Sequence, residues 1–502
     1  MNSIQNDTNV LAKGAGTALF GKIIGRGLQL VAQILLARLL GPAEFGLYVL
    51  GLTVFQLGQQ IGPLGLNNGV IHFGGRAFQD NKEDIPTILR TAQILSLGSA
   101  FLVGLIFYLL APWFALKIVR QPELVNVMRG FALGLVFASE LRVASAITRL
   151  SHKMHFSVLS EDLLPYIINL GLLIVLFYSI KLSVLSAVMA VIVSYAVGWL
   201  VALFFVRRIF NIKSYMGTVP MRLAGEMLMY SLPTFMAVVI VYIINGFTVF
   251  LIGYFLSPRD VGAYQVAFQI SAFPAIILLA FNTIFAPMIS RLNQVSQRPQ
   301  LNELFKVSTK WGLYISLPFL LILLFMPQQV LRILYGQAYI AGIWPLVILT
   351  LAQSINTGTG AVGLLLVMNG HQNRWLVLSG ISFITALVLD IWLIPLWGII
   401  GAAVANACSI IVLYLVALFQ VRSLMNLWPY DRRLWKGVLS AGVSACVILL
   451  LLRLIPMQSF LQITVAAVIA VGVFLFSLWL LKLDQEDVRV WHLLTNIIKM
   501  GK

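Results

Sequence analysis

Residues 15–48 read AGTALFGKIIGRGLQLVAQILLARLLGPAEFGLY, and the reading of this stretch decides the fold. Its first part, 15–40, is long enough to cross a bilayer, since about 20 residues at roughly 1.5 Å each cover the hydrocarbon core. It nevertheless carries Lys22, Arg26, Gln29 and Gln33. At about 100° per residue these four fall within an arc of roughly 60°, so one stripe is cationic and polar and the rest is Leu, Ile, Val and Ala. A charge at the centre of a lipid-facing helix costs about 2.5–3.5 kcal/mol, and two such charges rarely persist without water or a partner. The stripe is therefore expected to face a water-filled interior whose wall is the rest of the chain.

The composition agrees with a membrane protein. Of 502 residues, 60% are hydrophobic and only 10% charged, whereas soluble domains carry about 25% charged residues. The net charge of +17 does not point to nucleic acid, because the basic residues recur in short loops between apolar spans and form no patch. It reports orientation and contact with anionic lipid head groups. Met1 to Val10 is polar and lacks a basic leader region, so the first span is expected to stay in the mature protein. Cys408 and Cys446 fall in different apolar spans and are expected to be reduced thiols, with no disulfide and no metal site.

Fourteen spans are read from apolar windows and turn breaks. Six lie at about 15–40, 45–70, 91–111, 124–147, 158–180 and 184–206. Six more lie at about 227–256, 262–289, 311–331, 343–368, 375–395 and 398–421, and a final pair at about 437–456 and 461–482. With the N-terminus inside, about 23 of the Lys and Arg residues fall on inner segments and about eight on outer ones, which places both termini in the cytoplasm. The chain also repeats itself. Leu40-Gly41-Pro42-Ala43-Glu44-Phe45-Gly46-Leu47-Tyr48 returns as Leu256-Ser257-Pro258-Arg259-Asp260-Val261-Gly262-Ala263-Tyr264, keeping Pro, an acid, Gly and Tyr in place. Weaker echoes pair Pro112 and Lys117-Ile118 with Pro327 and Arg332-Ile333, and Ser186-Ala187 with Gly401-Ala402. A near-constant offset argues for a duplicated six-span unit, its copies related by an axis along the membrane normal with the substrate site between them. The expected organisation is an N-lobe over 1–210, a C-lobe over 211–425 and two extra helices over 426–502.

No catalytic constellation emerges. The five histidines fall at expected cytoplasmic ends, and there is no phosphate loop, HExxH-type helix or ATPase cassette. The informative residues are polar ones inside spans. Lys22, Arg26 and Arg142 are the candidate cavity cations; Gln29, Gln33, Gln56, Gln60, Asn67, Asn245, Gln265 and Gln269 are the candidate polar lining. Gln56, Gln59 and Gln60 share one helix face, although interhelical hydrogen bonding explains any single glutamine equally well. Two further readings stay open for the cations: snorkelling to the inner interface, and pairing with Glu140 or Asp162. Arg142 beside Glu140 is either an internal ion pair or a cavity group. Asp390 is either an arginine partner or a proton or cation site.

Three runs resemble one family. Ala37-Arg38-Leu39-Leu40-Gly41-Pro42-Ala43-Glu44-Phe45-Gly46-Leu47-Tyr48 is similar to the start of polysaccharide-biosynthesis (O-antigen-type) flippases. Ile333-Leu334-Tyr335-Gly336-Gln337-Ala338-Tyr339 and Pro395-Leu396-Trp397-Gly398-Ile399-Ile400-Gly401-Ala402-Ala403 are similar to later parts of the same family. These flippases belong to the multidrug/oligosaccharidyl-lipid/polysaccharide exporter superfamily. The resemblance implies an all-α, MATE-like polytopic membrane fold of two pseudo-symmetric six-helix lobes plus two C-terminal helices. It implies a transporter, not an enzyme, that flips an undecaprenyl-pyrophosphate-linked glycan across a bacterial cytoplasmic (inner) membrane by alternating access, for surface lipopolysaccharide or exopolysaccharide. Membrane lipids, and a polysaccharide polymerase with chain-length proteins, are the implied partners. No cofactor is expected beyond an H+ or Na+ gradient or the membrane potential. Drug-exporting relatives typically carry an acidic residue in the first helix, and this one has none. The acidic-aromatic signature of lipid II flippases is likewise absent. Those two activities and a non-transporting scaffold for glycan assembly are the alternatives.

Overall fold

The computed structural model describes residues 2–80, 84–151, 154–179, 182–210, 220–275, 298–432, 434–454 and 460–481, with single positions between 278 and 289. Side chains at 2–20, 78–80, 237, 241, 244, 245 and 460 lie outside the described residues. Among the described residues the ordered elements are helical, and twelve helices are long and apolar enough to cross a membrane. The first of these, Gly21–Ala77, takes in the second expected span and the first from residue 21 onward. The expected span at 262–289 runs in part over residues outside those described. By their internal contacts the residues group into two units, 1–265 and 266–502.

The first unit begins with α1 (Asn2–Ile61), which is two rods joined at Gly41. There φ is 76° and ψ 171°, a conformation that glycine adopts freely and that other residues enter only at a cost. Pro42 then opens the second rod, where its missing N–H is harmless. The chain continues through α2 (Leu66–Asp80), α3 (Ile85–Trp113) and α4 (Glu123–Leu150). Next come α5 (Met154–Ser157), a π-helical turn (Val158–Leu163), α6 (Leu164–Ser179), α7 (Val184–Ile209) and α8 (Met221–Phe255). Last is α9 (Pro258–Ser271), whose final residues pass into the second unit.

The hub of this unit is α4, with 18 of its 28 residues buried. It packs on α1, α2, α3 and α7. Small residues make that possible: Ala138, Ser139, Ala144, Ser145 and Ala146 are all buried and let neighbouring backbones come close. In lipid this close contact replaces the hydrophobic drive that holds a soluble core together.

The repeated motif acquires a structural meaning here. In the second copy Ser257 and Asp260 form a reciprocal cap at the start of α9. The Ser257 N–H and hydroxyl donate to the carboxylate at 3.2 and 2.6 Å, and the Asp260 N–H donates back to the hydroxyl at 3.4 Å. The two glycines of the repeat face each other's prolines. A methyl on Gly46 would lie 1.7 Å from the Pro258 carbonyl oxygen, and one on Gly262 2.2 Å from that of Pro42. The two copies of the motif therefore cross back to back, each glycine seated on the other copy's first peptide. Tyr48 and Tyr264 are both buried.

The second unit contains α10 (Arg298–Phe325), α11 (Pro327–Leu334), α12 (Ile343–Thr359), α13 (Val362–Met368), α14 (Gln372–Trp397), α15 (Ile399–Met425), α16 (Leu434–Leu454) and α17 (Phe460–Leu480). The α14–α15 hairpin is tight because a methyl on Gly401 would meet the Leu393 carbonyl at 2.1 Å. Ser382 and Ser409 bind each other across that hairpin at 2.7 Å. Polar contacts also dock the final pair. The Gly437 N–H donates to the Tyr314 hydroxyl at 3.1 Å, and the Ser444 hydroxyl donates to the Ala470 carbonyl at 2.8 Å. Interhelical bonds of this kind contribute about 0.6–2 kcal/mol each in a bilayer. Cys408 and Cys446 are free thiols.

Candidate functional site

The cationic stripe of α1 is held in place by two glycines. Gly21 and Gly25, four residues apart, form the close-packing face of the helix. A methyl on Gly21 would lie 2.0 Å from a Val158 methyl carbon, and one on Gly25 2.1 Å from the Asp162 carbonyl oxygen. Both contacts fall on the π-helical turn. Such a turn adds one residue to the helical repeat and rotates the side chains that follow, which is why π-turns cluster at functional sites. Here it carries Glu161 and Asp162 to the edge of α1, beside Lys22 and Arg26, the residues next to each glycine.

The electrostatics follow from this packing. Asp162 lies in the field of Lys22, Arg149 and Arg26, and next to Glu161. Glu161 is fixed by an ion pair with Arg149, whose Nε also donates to the Ser157 hydroxyl at 2.8 Å. One turn beyond Asp162, Tyr166 lies in the field of Arg26. Tyr195 on α7 lies beside the side chains of Gln59 and Tyr166 and in the field of Arg142. An aromatic chain runs from this cluster back to the repeat motif. Tyr195 meets Phe55 at 5.5 Å, Phe55 meets Phe131 at 5.2 Å, and Phe131 meets Tyr48 at 5.6 Å.

Lys22 and Arg26 are both exposed, and Gln29 and Gln33 half-buried. Ile24 and Val31, on the opposite face, are 52% and 50% exposed. The helix is therefore accessible along two opposite lines, one polar and one apolar. Of the two carboxylates weighed as partners for the cations, Asp162 is the nearer, its backbone carbonyl packed on Gly25, but it makes no ion pair with Lys22 or Arg26. Glu140 is instead 3% exposed inside α4, with the Ser96 side chain facing it. Glu140 and Arg142 make no ion pair. Residues two apart on a helix point in different directions, and Arg142 reaches toward Tyr195 while Glu140 turns into the α3–α4 contact.

The remaining candidates are spread out. Gln56 is half-buried and Gln60 buried on the second rod of α1. The Asn67 amide donates to Asn68 at 3.4 Å. Gln265 is half-buried at the end of the first unit, and the side chain of Asn245 lies outside the described residues. Gln269 and Asp390 belong to the second unit, where Asp390 is 1% exposed in α14. Sequence reasoning missed Glu161, Arg149, Tyr166 and Tyr195 as members of the cluster, and passed over Gln59 in favour of its neighbours. The available signals were an adjacent acid pair at the start of an apolar span and a tyrosine four residues on.

Membrane-length helices, a duplicated motif and a cationic helix packed on a π-turn describe a polytopic, all-helical membrane protein. Solved structures share that fold. One is the lipid II flippase MurJ in its inward closed conformation, with a TM-score of 0.73 and 16% identity over 91% of this chain and 97% of that one. Another is an inward-facing multidrug resistance MATE family transporter, with a TM-score of 0.63 and 15% identity over 82% and 98%. Residues 35–344 match the family described as polysaccharide biosynthesis protein, and the chain belongs to that family. Two relatives come from Haloferax volcanii. A probable low-salt glycan biosynthesis flippase is 25% identical over 44% of this chain and 47% of its own length, and the probable flippase AglR is 26% identical over 49% and 52%. The chain thus spans about half the length of these curated relatives. An uncharacterized membrane protein of Methanocaldococcus jannaschii is 19% identical over 97% of this chain and 98% of its own length.

Proposed function

We propose that this protein moves an oligosaccharide linked to a polyprenyl pyrophosphate from the cytoplasmic to the outer leaflet of its membrane, by alternating access. The family, and the flippase names of the Haloferax relatives, support a glycan-lipid substrate. The single observation that carries the reading is the exposure of Lys22 and Arg26 on the polar stripe of a largely apolar helix long enough to span. The Ile24–Val31 line suits lipid. The opposite line does not, at about 2.5–3.5 kcal/mol for each charge facing hydrocarbon, so it faces water and an anionic ligand. A pyrophosphate crosses an apolar layer only where cations replace its hydration shell, and Lys and Arg supply charge-assisted hydrogen bonds to phosphate oxygens.

Gln29, Gln33, Gln56, Gln60, Asn67, Asn245, Gln265 and Gln269 would supply amide donors and acceptors to the sugars. Glu140, Asp162 and Asp390 are the candidates for ion pairing or for coupling to an H+ or Na+ gradient or to the membrane potential. The membrane is the cytoplasmic one, with both chain ends inside, and polymerase and chain-length proteins would act on the product.

Replacement of Arg26 by Ala or Glu is expected to abolish glycan export while the protein still inserts. The check is glycan display at matched protein level, followed by flipping of a defined pyrophosphate-linked oligosaccharide in vesicles with and without a proton gradient. Normal display by both variants would refute the reading.

A further inference from the structure

The connection between α15 and α16 is an extended strap, Asn426-Leu427-Trp428-Pro429-Tyr430-Asp431-Arg432. Asn426 stops α15 in the left-handed region at φ 56°, a conformation that asparagine tolerates, and its N–H donates to the Arg422 carbonyl at 3.0 Å. From there the chain alternates. Leu427 and Pro429 are buried, Trp428 is half-buried, and Asn426, Tyr430 and Arg432 are exposed. Leu427 plugs into a core shared by α10, α13 and α15, and the Trp428 N–H donates to the Asn302 side-chain oxygen on α10 at 2.9 Å. The inner side of the strap is thereby fixed, so its outer side is presented rigidly. That side joins rings to a cation. The Arg422 guanidinium lies 4.6 Å over the Trp428 ring, and Tyr430 meets the same ring edge-on at 5.2 Å. Arg432 follows Tyr430 on the same face, about 6.6 Å further along an extended chain. Trp435, at the start of α16, is exposed.

Both flanking helices are long and apolar enough to cross a membrane, so the strap lies where the spans meet the lipid head groups. Tryptophan and tyrosine favour that depth, with the ring among the lipids and the polar end toward water. A guanidinium stacked on an indole gives up one face and keeps its N–H edge, a planar fork that fits phosphate oxygens. Arg422 makes no ion pair among the described residues. Glu303, next to Asn302, is paired with Lys306 at 2.6 Å. Asp431 is half-buried in the strap and tempers its charge without cancelling both arginines. We propose that Arg422, Trp428, Tyr430 and Arg432 form a binding site for the phosphate of an anionic phospholipid in the leaflet that the strap meets. The bound lipid holds the α15–α16 corner against α10. The site lies in the second unit and does not depend on what the protein transports.

The test uses the full-length protein purified in detergent and titrated with phosphatidylglycerol, with phosphatidylcholine as the neutral reference and bound lipid counted by native mass spectrometry. One basic side chain beside an anionic lipid changes binding roughly fivefold. Wild type is expected to prefer phosphatidylglycerol, and Arg422→Gln to lose about fivefold in affinity for it. Arg422→Lys keeps the charge but not the stacked fork, and should recover only part of that loss. Phosphatidylglycerol should also raise the melting temperature of wild type more than phosphatidylcholine does, and Arg422→Gln should abolish the difference. Arg208→Gln is the control, at an exposed arginine near the end of α7, and should bind as wild type. Undiminished binding by Arg422→Gln, or an equal loss from Arg208→Gln, overturns the proposal, the second because it reports only diffuse attraction. If Arg422→Gln fails to fold, Arg432→Gln, exposed in the strap, decides by the same comparison. Displacement of the lipid by soluble glycerol phosphate would assign the site to a free phosphate, and displacement by polyglutamate to an acidic protein. Either result overturns the assignment to lipid.

Discussion

Replacing Gly25 by alanine puts a methyl carbon 2.1 Å from the carbonyl oxygen of Asp162 and 3.1 Å from its carbonyl carbon. Ordinary contact begins near 3.4 Å, so α1 and the π-turn must part by roughly 1.3 Å. The obstacle is backbone, and no rotamer change can absorb the overlap. Overpacking of this kind costs about 1–3 kcal/mol. At about 2–4 °C per kcal/mol for a unit of this size, the melting temperature should fall by about 2–12 °C. Function should suffer beyond stability, because the same displacement shifts Arg26, next to Gly25, relative to the π-turn. The assay pairs thermal unfolding of the purified protein with glycan export at matched expression. Gly27→Ala is the control, because no atom lies within 4 Å of a methyl at that position. If Gly25→Ala melts and exports like Gly27→Ala, the account of how α1 is seated is wrong.

The crossing of the repeated motif is tested by Gly46→Ala, whose methyl would stand 1.7 Å from the Pro258 carbonyl oxygen. This variant should lose most folded protein on size exclusion, with Gly262→Ala next in severity, and normal yield of both would count against a close backbone crossing. In the tyrosine cluster, Gln59→Leu removes the polar neighbour of the buried Tyr195. It should cost about 1 kcal/mol of stability and lower transport, whereas Gln56→Leu should change less. Equal effects of the two, read by melting and by vesicle flipping, would remove Gln59 from the cluster.

The three runs that betray the family are structural in this chain. Gly41 permits the break in α1, Gly46 and Gly262 permit the crossing, and Gly401 closes the α14–α15 hairpin. Tyr335 and Tyr339 are buried against each other at 5.7 Å, with burial raising the Tyr335 hydroxyl above its ordinary range. Local sequence marks such positions because a missing Cβ or a fixed φ is legible one residue at a time. The charges assigned to the head group lie outside those runs, and their signal was different: two cations and two glutamines sharing one arc of an apolar helix.

By itself, then, the sequence determined the all-α membrane fold, the duplicated motif and the amphipathic character of the first helix, because each is a matter of period and composition within one segment. Only the tertiary structure decided which carboxyl-bearing residue packs beside Lys22 and Arg26. Asp162 and Glu140 look equivalent along the chain, and their places separate through a glycine face on α1 that seats the π-turn carrying Asp162. Glu140 was turned into a helix contact instead. Pairing across the bilayer depends on which helices come close, and closeness is set by small residues on two partners at once, which no single stretch of sequence contains.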